Sequence, residues 1–146
     1  MGVYRGASSV RHRILALAVA LVATSACSGH PEQPDNARIC AAYASAQSGV
    51  EVIGTGLVVV VLGTSNGPSG EHEGFVLKLT GDCDLAVRVE TNVDITGPVP
   101  LHAGETVVVK GQFEDDTSGG VIHWTHHDPS GRHITGYVEA AGKYYQ

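Results

Sequence analysis

From residue 50 to the C-terminus the chain is written in short apolar runs with a period of two, separated by clusters of Gly, Pro, Asn, Asp and Ser. That pattern predicts β-strands joined by turns. "VEVIGTGLVVVVL" (50–62) is β-branched and apolar, a long strand that Gly54 and Gly56 allow to bend. "GTSNGPSGEHEG" (63–74) reads as a turn-rich loop. "FVLKLT" (75–80) puts Phe75, Leu77 and Leu79 on one face, "GDCD" turns the chain, and "LAVRVET" (85–91) repeats the alternation. An irregular stretch with Pro98 and Pro100 precedes a strand at "ETVVVKGQF" (105–113); "EDDTSGG" then turns into "VIHWTH", and "TGYVEA" (135–140) is the last strand. Ahead of these strands, "ARICAAYASAQS" (37–48) has helical spacing, with Ile39, Ala42, Tyr43 and Ala46 on one face.

Five or six short strands in about 95 residues suit a small barrel or a sandwich. The long bent first strand favours the barrel, because it can belong to both halves of a closed sheet, as in the OB-fold. "LHAGETVVVKGQF" also resembles the segment entering the fourth strand of many OB-folds. The expected fold is therefore all-β, a small OB-like barrel of five to six strands with one short N-terminal helix.

The first residues follow another pattern. Arg5, Arg11 and Arg13 form a basic head, "ILALAVALVA" (14–23) is a short apolar run, and small residues end at Cys27. This is the tripartite form of an export signal, and the run is about half the roughly 20 residues a membrane-spanning helix needs. "ATSAC" resembles a bacterial lipobox, in which cleavage leaves a lipid-bearing cysteine; cleavage after Ala26 without lipid, giving a secreted protein, is the alternative. The expected organisation is a signal peptide at 1–26, a flexible tether at 27–36 and a single β-barrel domain at 37–146. The expected location is the cell envelope, with attachment to the membrane through lipid on Cys27.

Removing the signal changes the charge. The whole chain carries −6 with neutral histidines, and loss of the three arginines leaves −9. Such a surface repels phosphate backbones and argues against nucleic acid as a partner. With Cys27 assigned to export, Cys40 and Cys83 remain, and in an oxidising compartment an even remainder predicts a disulfide.

The densest chemistry lies in "VIHWTHHDPSGRH" (121–133), with four histidines, an aspartate and the only tryptophan of the chain. If the strand stays extended, His123 and His127 point one way and Trp124 and His126 the other. "DPSG" reads as a turn that brings His133 back toward His127, and His72 in the 63–74 loop is a further candidate. Neutral imidazole suits a divalent transition metal such as zinc, so the candidate metal or ligand residues are His123, His127, His133, His72, His126 and Asp128. Plain turn duty for Asp128 and surface hydrogen bonding for the histidines stand as the alternative. "EDD" (114–116) is read as an acidic turn. The chain has no Gly-x-Ser-x-Gly elbow, P-loop or dinucleotide fingerprint.

"GGVIHWTHHDPSGRH" followed by "GYVEAAGKYYQ", with "EHEGFVLKL" and "ETVVVKGQF" upstream, resembles a family of small exported bacterial proteins known as domain of unknown function 3465, over about residues 50–146. The resemblance includes His72, His123, Trp124, His126, His127, Asp128, Gly131 and His133. It implies a histidine where this chain has Glu90 or Thr91, and it brings no established activity. The expected function is an exported, lipid-anchored β-domain that binds a ligand, an envelope protein or a transition metal through its His-rich hairpin. A metal-dependent hydrolase, such as a nuclease using the same histidines, is the alternative.

Overall fold

The structure of the protein, a computed structural model, describes residues 1–2, 32–81 and 83–146. The signal segment and Cys27 lie outside the described residues. Helix α1 (Asn36–Ala44) precedes β1 (Val50–Gly67), β2 (Gly70–Leu79) and β3 (Ala86–Asn92). A helical turn α2 (Val93–Thr96) leads to β4 (Thr106–Glu114), β5 (Val121–His123), β6 (Tyr137–Ala140) and β7 (Lys143–Tyr145). Antiparallel pairs β1–β2, β2–β3, β4–β5 and β1–β4, with the parallel pair β3–β5, close a five-stranded ring in the order 1-2-3-5-4. This is the OB-like barrel that the pattern predicts, with β6 and β7 added as a hairpin beside β4.

Closure depends on β1. Its first half, Val50 to Leu57, pairs with β4, and its second half, Gly56 to Gly67, pairs with β2. Period-two alternation then fills the interior with Val52, Val58, Phe75, Leu77, Val87, Val89, Val107, Val109, Phe113 and Ile122. Helix α1 packs on this ring through Ile39 and Ala42, both buried. A Cβ on Gly54 would stand 2.6 Å from Ile39 Cδ1, so the glycine is the notch that admits the helix. Asn36, buried at the first turn, donates to the carbonyls of Thr55 and Thr80 and accepts from Thr55 N–H, fastening α1 to β1 and to the end of β2. The Cys40–Cys83 disulfide, with Cα atoms 6.1 Å apart, ties the same helix to the β2–β3 turn.

Two expectations are corrected. Residues 63–74 are not a loop: β1 runs through Gly67, β2 starts at Gly70, and only Pro68 and Ser69 turn. Glycine and serine there read as punctuation, yet the ladder continues from Gly63↔Gly74 to Gly67↔Gly70 once two register shifts have re-aimed the strand. The expected tether at 27–36 is also not free at its end. Lys110 donates to the Glu32 carboxylate at 2.6 and 2.8 Å, Asp35 N–H donates to Ile53 O, and Asn36 already belongs to α1.

Candidate functional site

The extended β1–β2 hairpin brings its tip beside the loop that follows β5. Asn92, the last residue of β3, donates to Ser69 O at 2.7 Å, and Asp94 in α2 accepts from Glu71 N–H at 2.9 Å. These bonds pin the tip and therefore His72. Between tip and loop lies a cleft of about 190 Å³ lined by Ser65, Gly67, Pro68, Ser69, His72, Glu90, Asn92, His123, Trp124 and His126.

The loop is built by Asp128 and Gly136. The carboxylate of Asp128, with only 2% of its side chain exposed, accepts from Ser130 N–H, Ser130 Oγ–H, Arg132 N–H and His133 N–H. Burial pushes its pKa up, but these donors outweigh it and hold the carboxyl well below the usual range. Gly131 N–H closes the turn on Asp128 O at 3.1 Å. At the far end Gly136 N–H donates to His126 O, and a Cβ on Gly136 would lie 2.1 Å from Trp124 O and 2.6 Å from Lys110 O. Glycine there is what lets the loop return against β4. Asp128 thus serves the turn, with its oxygens committed to backbone and hydroxyl donors.

The extended alternation expected through His127 stops at His123, where β5 ends. Trp124 takes φ +56°, a conformation that bulky residues rarely adopt and that costs on the order of 1–3 kcal/mol. The fully buried Thr125, whose Oγ–H donates to Glu90 O, holds the chain in this path. As a result the rings do not sort by parity. The Trp124 ring lies 4.9 Å from that of His123, 4.6 Å from His133 and 6.1 Å from His126. His126 and His133 meet edge to face at 5.0 Å. His127 is left exposed, 3.3 Å from Thr135 Oγ1. The structure therefore gathers His123, His126 and His133 around Trp124, places His72 across the cleft, and leaves His127 outside. Among the described residues no three His, Cys, Asp or Glu side chains stand together as a group able to hold a metal ion. The expected convergence of His123, His127 and His133 is not what the loop produces.

A different regularity is present. His72 Nδ1 lies 2.9 Å from Gly70 O, His126 Nδ1 2.7 Å from His127 O, and His133 Nδ1 2.7 Å from Ile134 O. A carbonyl oxygen only accepts, so each Nδ1 carries the proton and each neutral ring keeps its lone pair on Nε2. Ser69 Oγ lies 3.3 Å from His72 Nε2. Nε2 of His133 and Nε2 of His123 are buried without a hydrogen-bond partner. The closest acid oxygens, Asp128 Oδ2 at 3.8 Å and Glu114 Oε1 at 3.6 Å, stand beyond hydrogen-bond length. Burial lowers the pKa of His126 against the opposing bond to His127 O, and burial likewise lowers that of His123 against Glu114.

Sequence reasoning found the histidines but not their frame. Glu90, Asn92, Ser65 and Ser69 line the cleft without any motif to announce them; of the two positions where the family resemblance implies a histidine, Glu90 lines the cleft and Thr91 is fully buried.

Ring order and cleft together define a small Greek-key barrel of OB type with an imidazole-lined recess at the tip of its first hairpin. The chain belongs to the family described as protein of unknown function DUF3465, whose family model matches residues 21–146. No curated protein matches the chain. Among the described residues no helix is long and apolar enough to cross a membrane. The disulfide is of the kind that persists in oxidising compartments.

Proposed function

We propose that this protein is an exported, lipid-anchored binding module whose cleft accepts a cationic or hydrogen-bond-donating ligand. The observation that carries the reading is the common orientation of His72 and His126 in the cleft wall, each with Nδ1 on a backbone carbonyl and its Nε2 lone pair unspent by the backbone; His133, packed against the rings of Trp124 and His126, holds the same tautomer. Glu90 and the serine hydroxyls add further acceptors to the same walls. A cleft so composed attracts donors and cations and disfavours anions. The hydrolase alternative gains no support: β6 and β7 follow His133 where a metal-holding helix of the nuclease type would stand. Export and anchoring rest on the tripartite N-terminus and Cys27; Cys27→Ser is expected to block lipid addition, seen as a loss of acyl mass in the intact protein.

Binding is tested on the chain from residue 27 onward, carrying Cys27→Ser, by NMR titration with a panel of small amines, polyols and anions. Amines or polyols are expected to shift the Trp124 indole and the His72 and His126 signals, whereas phosphate and acetate leave them in place. The shifts should persist as pH falls to the ordinary imidazole pKa of about 6.5 and vanish below it, because burial keeps His126 neutral to lower pH. The same depressed pKa makes the fold lose stability over that window as pH falls, since the unfolded imidazole binds its proton first. Shifts that map elsewhere on the barrel, or anions that bind as well as amines, would contradict the reading.

A further inference from the structure

The walls of the cleft present both halves of a hydrogen bond. His72 and His126 offer Nε2 lone pairs, and the Glu90 carboxylate accepts as well. Trp124 supplies the opposite kind of group. Its indole N–H only donates, and nothing among the described residues accepts from it. The left-handed φ of +56° sets this indole in the wall; backbone strain of that kind clusters at ligand clamps. A second recess of about 220 Å³ adjoins the first and shares Ser65, His72 and Glu90 with it. It adds Arg88, whose Nε lies 3.3 Å from Glu90 Oε1, so a donor again stands beside an acceptor.

We infer that the ligand of this cleft is a neutral oligosaccharide, with one sugar unit in the histidine cleft and the next in the adjoining recess. The inference rests on the cleft reading above and names the ligand class. Hydrogen-bond matching carries it. An ammonium group only donates, so it would satisfy the imidazoles and Glu90 but leave the Trp124 N–H and the Arg88 guanidinium unmatched. A carboxylate or phosphate only accepts, and would face the lone pairs and Glu90 with nothing to give. A hydroxyl does both, and a sugar ring carries several of them. One sugar hydroxyl can donate to an imidazole Nε2 while accepting from the indole N–H, and a pair of neighbouring hydroxyls can do the same between Glu90 and Arg88.

Size and charge agree with this class. The two recesses, about 190 and about 220 Å³, are each smaller than the roughly 300 Å³ at which drug-sized sites begin. Each suits a single sugar ring, and their shared walls put two such rings in sequence along one chain. His72 Nε2 meets only Ser69 Oγ at 3.3 Å, a weak bond that a ligand hydroxyl can replace. The second recess exists because residue 74 is glycine. Gly74 pairs with Glu90 across the sheet, and a Cβ there would lie 3.5 Å from the Leu62 side chain, in ordinary contact. The net charge of −9 left after loss of the three N-terminal arginines disfavours acidic polysaccharides and leaves neutral ones.

Trp124 makes the site self-reporting, since it is the only tryptophan of the chain and lines the cleft. The chain from residue 27, carrying Cys27→Ser, is titrated with glucose, cellobiose and cellotriose, with the N-acetylglucosamine monomer, dimer and trimer, and with butylamine as a donor-only control. Fluorescence and NMR shifts are followed together. At least one dimer is expected to bind with a Kd below about 1 mM and about tenfold more tightly than its monomer, with no comparable gain for the trimer. The dimer should move both the Trp124 indole and the Arg88 Nε–H signals. Gly74→Val puts methyl groups into the second recess and should remove the dimer's gain, whereas His127→Ala, outside the cleft, should leave it unchanged. If Gly74→Val fails to fold, the Arg88 signal of the unsubstituted protein still decides. Equal binding of monomer and dimer, an Arg88 signal that does not move, or a gain that survives in folded Gly74→Val would overturn the inference. Should butylamine shift the cleft signals at concentrations where no sugar does, the sugar is wrong and the cleft reading stands. Should neither bind, both fall, and the imidazoles are an aromatic cluster that only supports the loop.

Discussion

Replacing Cys40 and Cys83 together by serine is expected to lower stability by about 4 kcal/mol and the melting temperature by roughly 15 °C. The bond closes a sequence separation of 43 residues, and most of its effect comes from the conformational freedom that the cross-link removes from the unfolded chain. The native contacts around it are otherwise intact. Asn36 still bonds β1 and the end of β2, and Ile39 still fills the notch over Gly54. The variant should therefore keep its histidine and Trp124 signals unchanged while melting earlier, and reducing agent should do the same to the natural protein. A melting temperature within a few degrees of the original would show that α1 is held by packing and Asn36 alone.

The second large effect is local. Gly136→Val is expected to cost about 3 kcal/mol and to destroy the cleft. Any Cβ at this position meets the carbonyl oxygens of Trp124 and Lys110, both backbone atoms that cannot rotate away. The loop must lift from β4, which breaks the bond from Gly136 N–H to His126 O and releases the carbonyl geometry that orients the ring of His126. Hydrogen exchange should rise across residues 124–136 and stay unchanged in β2 and β3. Gly131→Ala makes a useful contrast. Its Cβ would meet open space, so the only penalty is the left-handed φ of +66°, which costs a non-glycine residue about 1 kcal/mol. A Gly136→Val protein with the stability and Trp124 environment of the original would refute this account of the loop.

The contrast between these two sites shows what the sequence conveys. Period-two alternation in Phe75, Leu77 and Leu79, and again in Val107, Val109 and Phe113, states the strands and their buried faces directly, and the long β1 with its glycines implies closure. The disulfide follows from parity and compartment. The hairpin tip was misread because Gly63, Asn66 and Gly70 look like turn residues, whereas only Pro68 and Ser69 turn. The histidines were legible as a cluster but not as a geometry. Which ring faces which depends on the left-handed Trp124, on Thr125 reaching Glu90 O and on Gly136 admitted against Lys110 O. The last two are contacts between segments distant in sequence. The choice of ring nitrogen depends on carbonyls of Gly70, His127 and Ile134, which no residue pattern encodes.

The tautomers of those rings are the most direct test of the central claim. Long-range nitrogen–proton correlation of the imidazoles, recorded at about pH 8 where neutral rings dominate, distinguishes protonated from bare ring nitrogens at each histidine. His72, His126 and His133 are expected to carry the proton on Nδ1 and a bare Nε2, the reverse of the preference of a free histidine side chain. The exposed His127, with no carbonyl on its Nδ1, serves as the internal reference. If His72 and His126 instead show protonated Nε2, the cleft presents donors where the account needs acceptors, and the proposed binding site is contradicted.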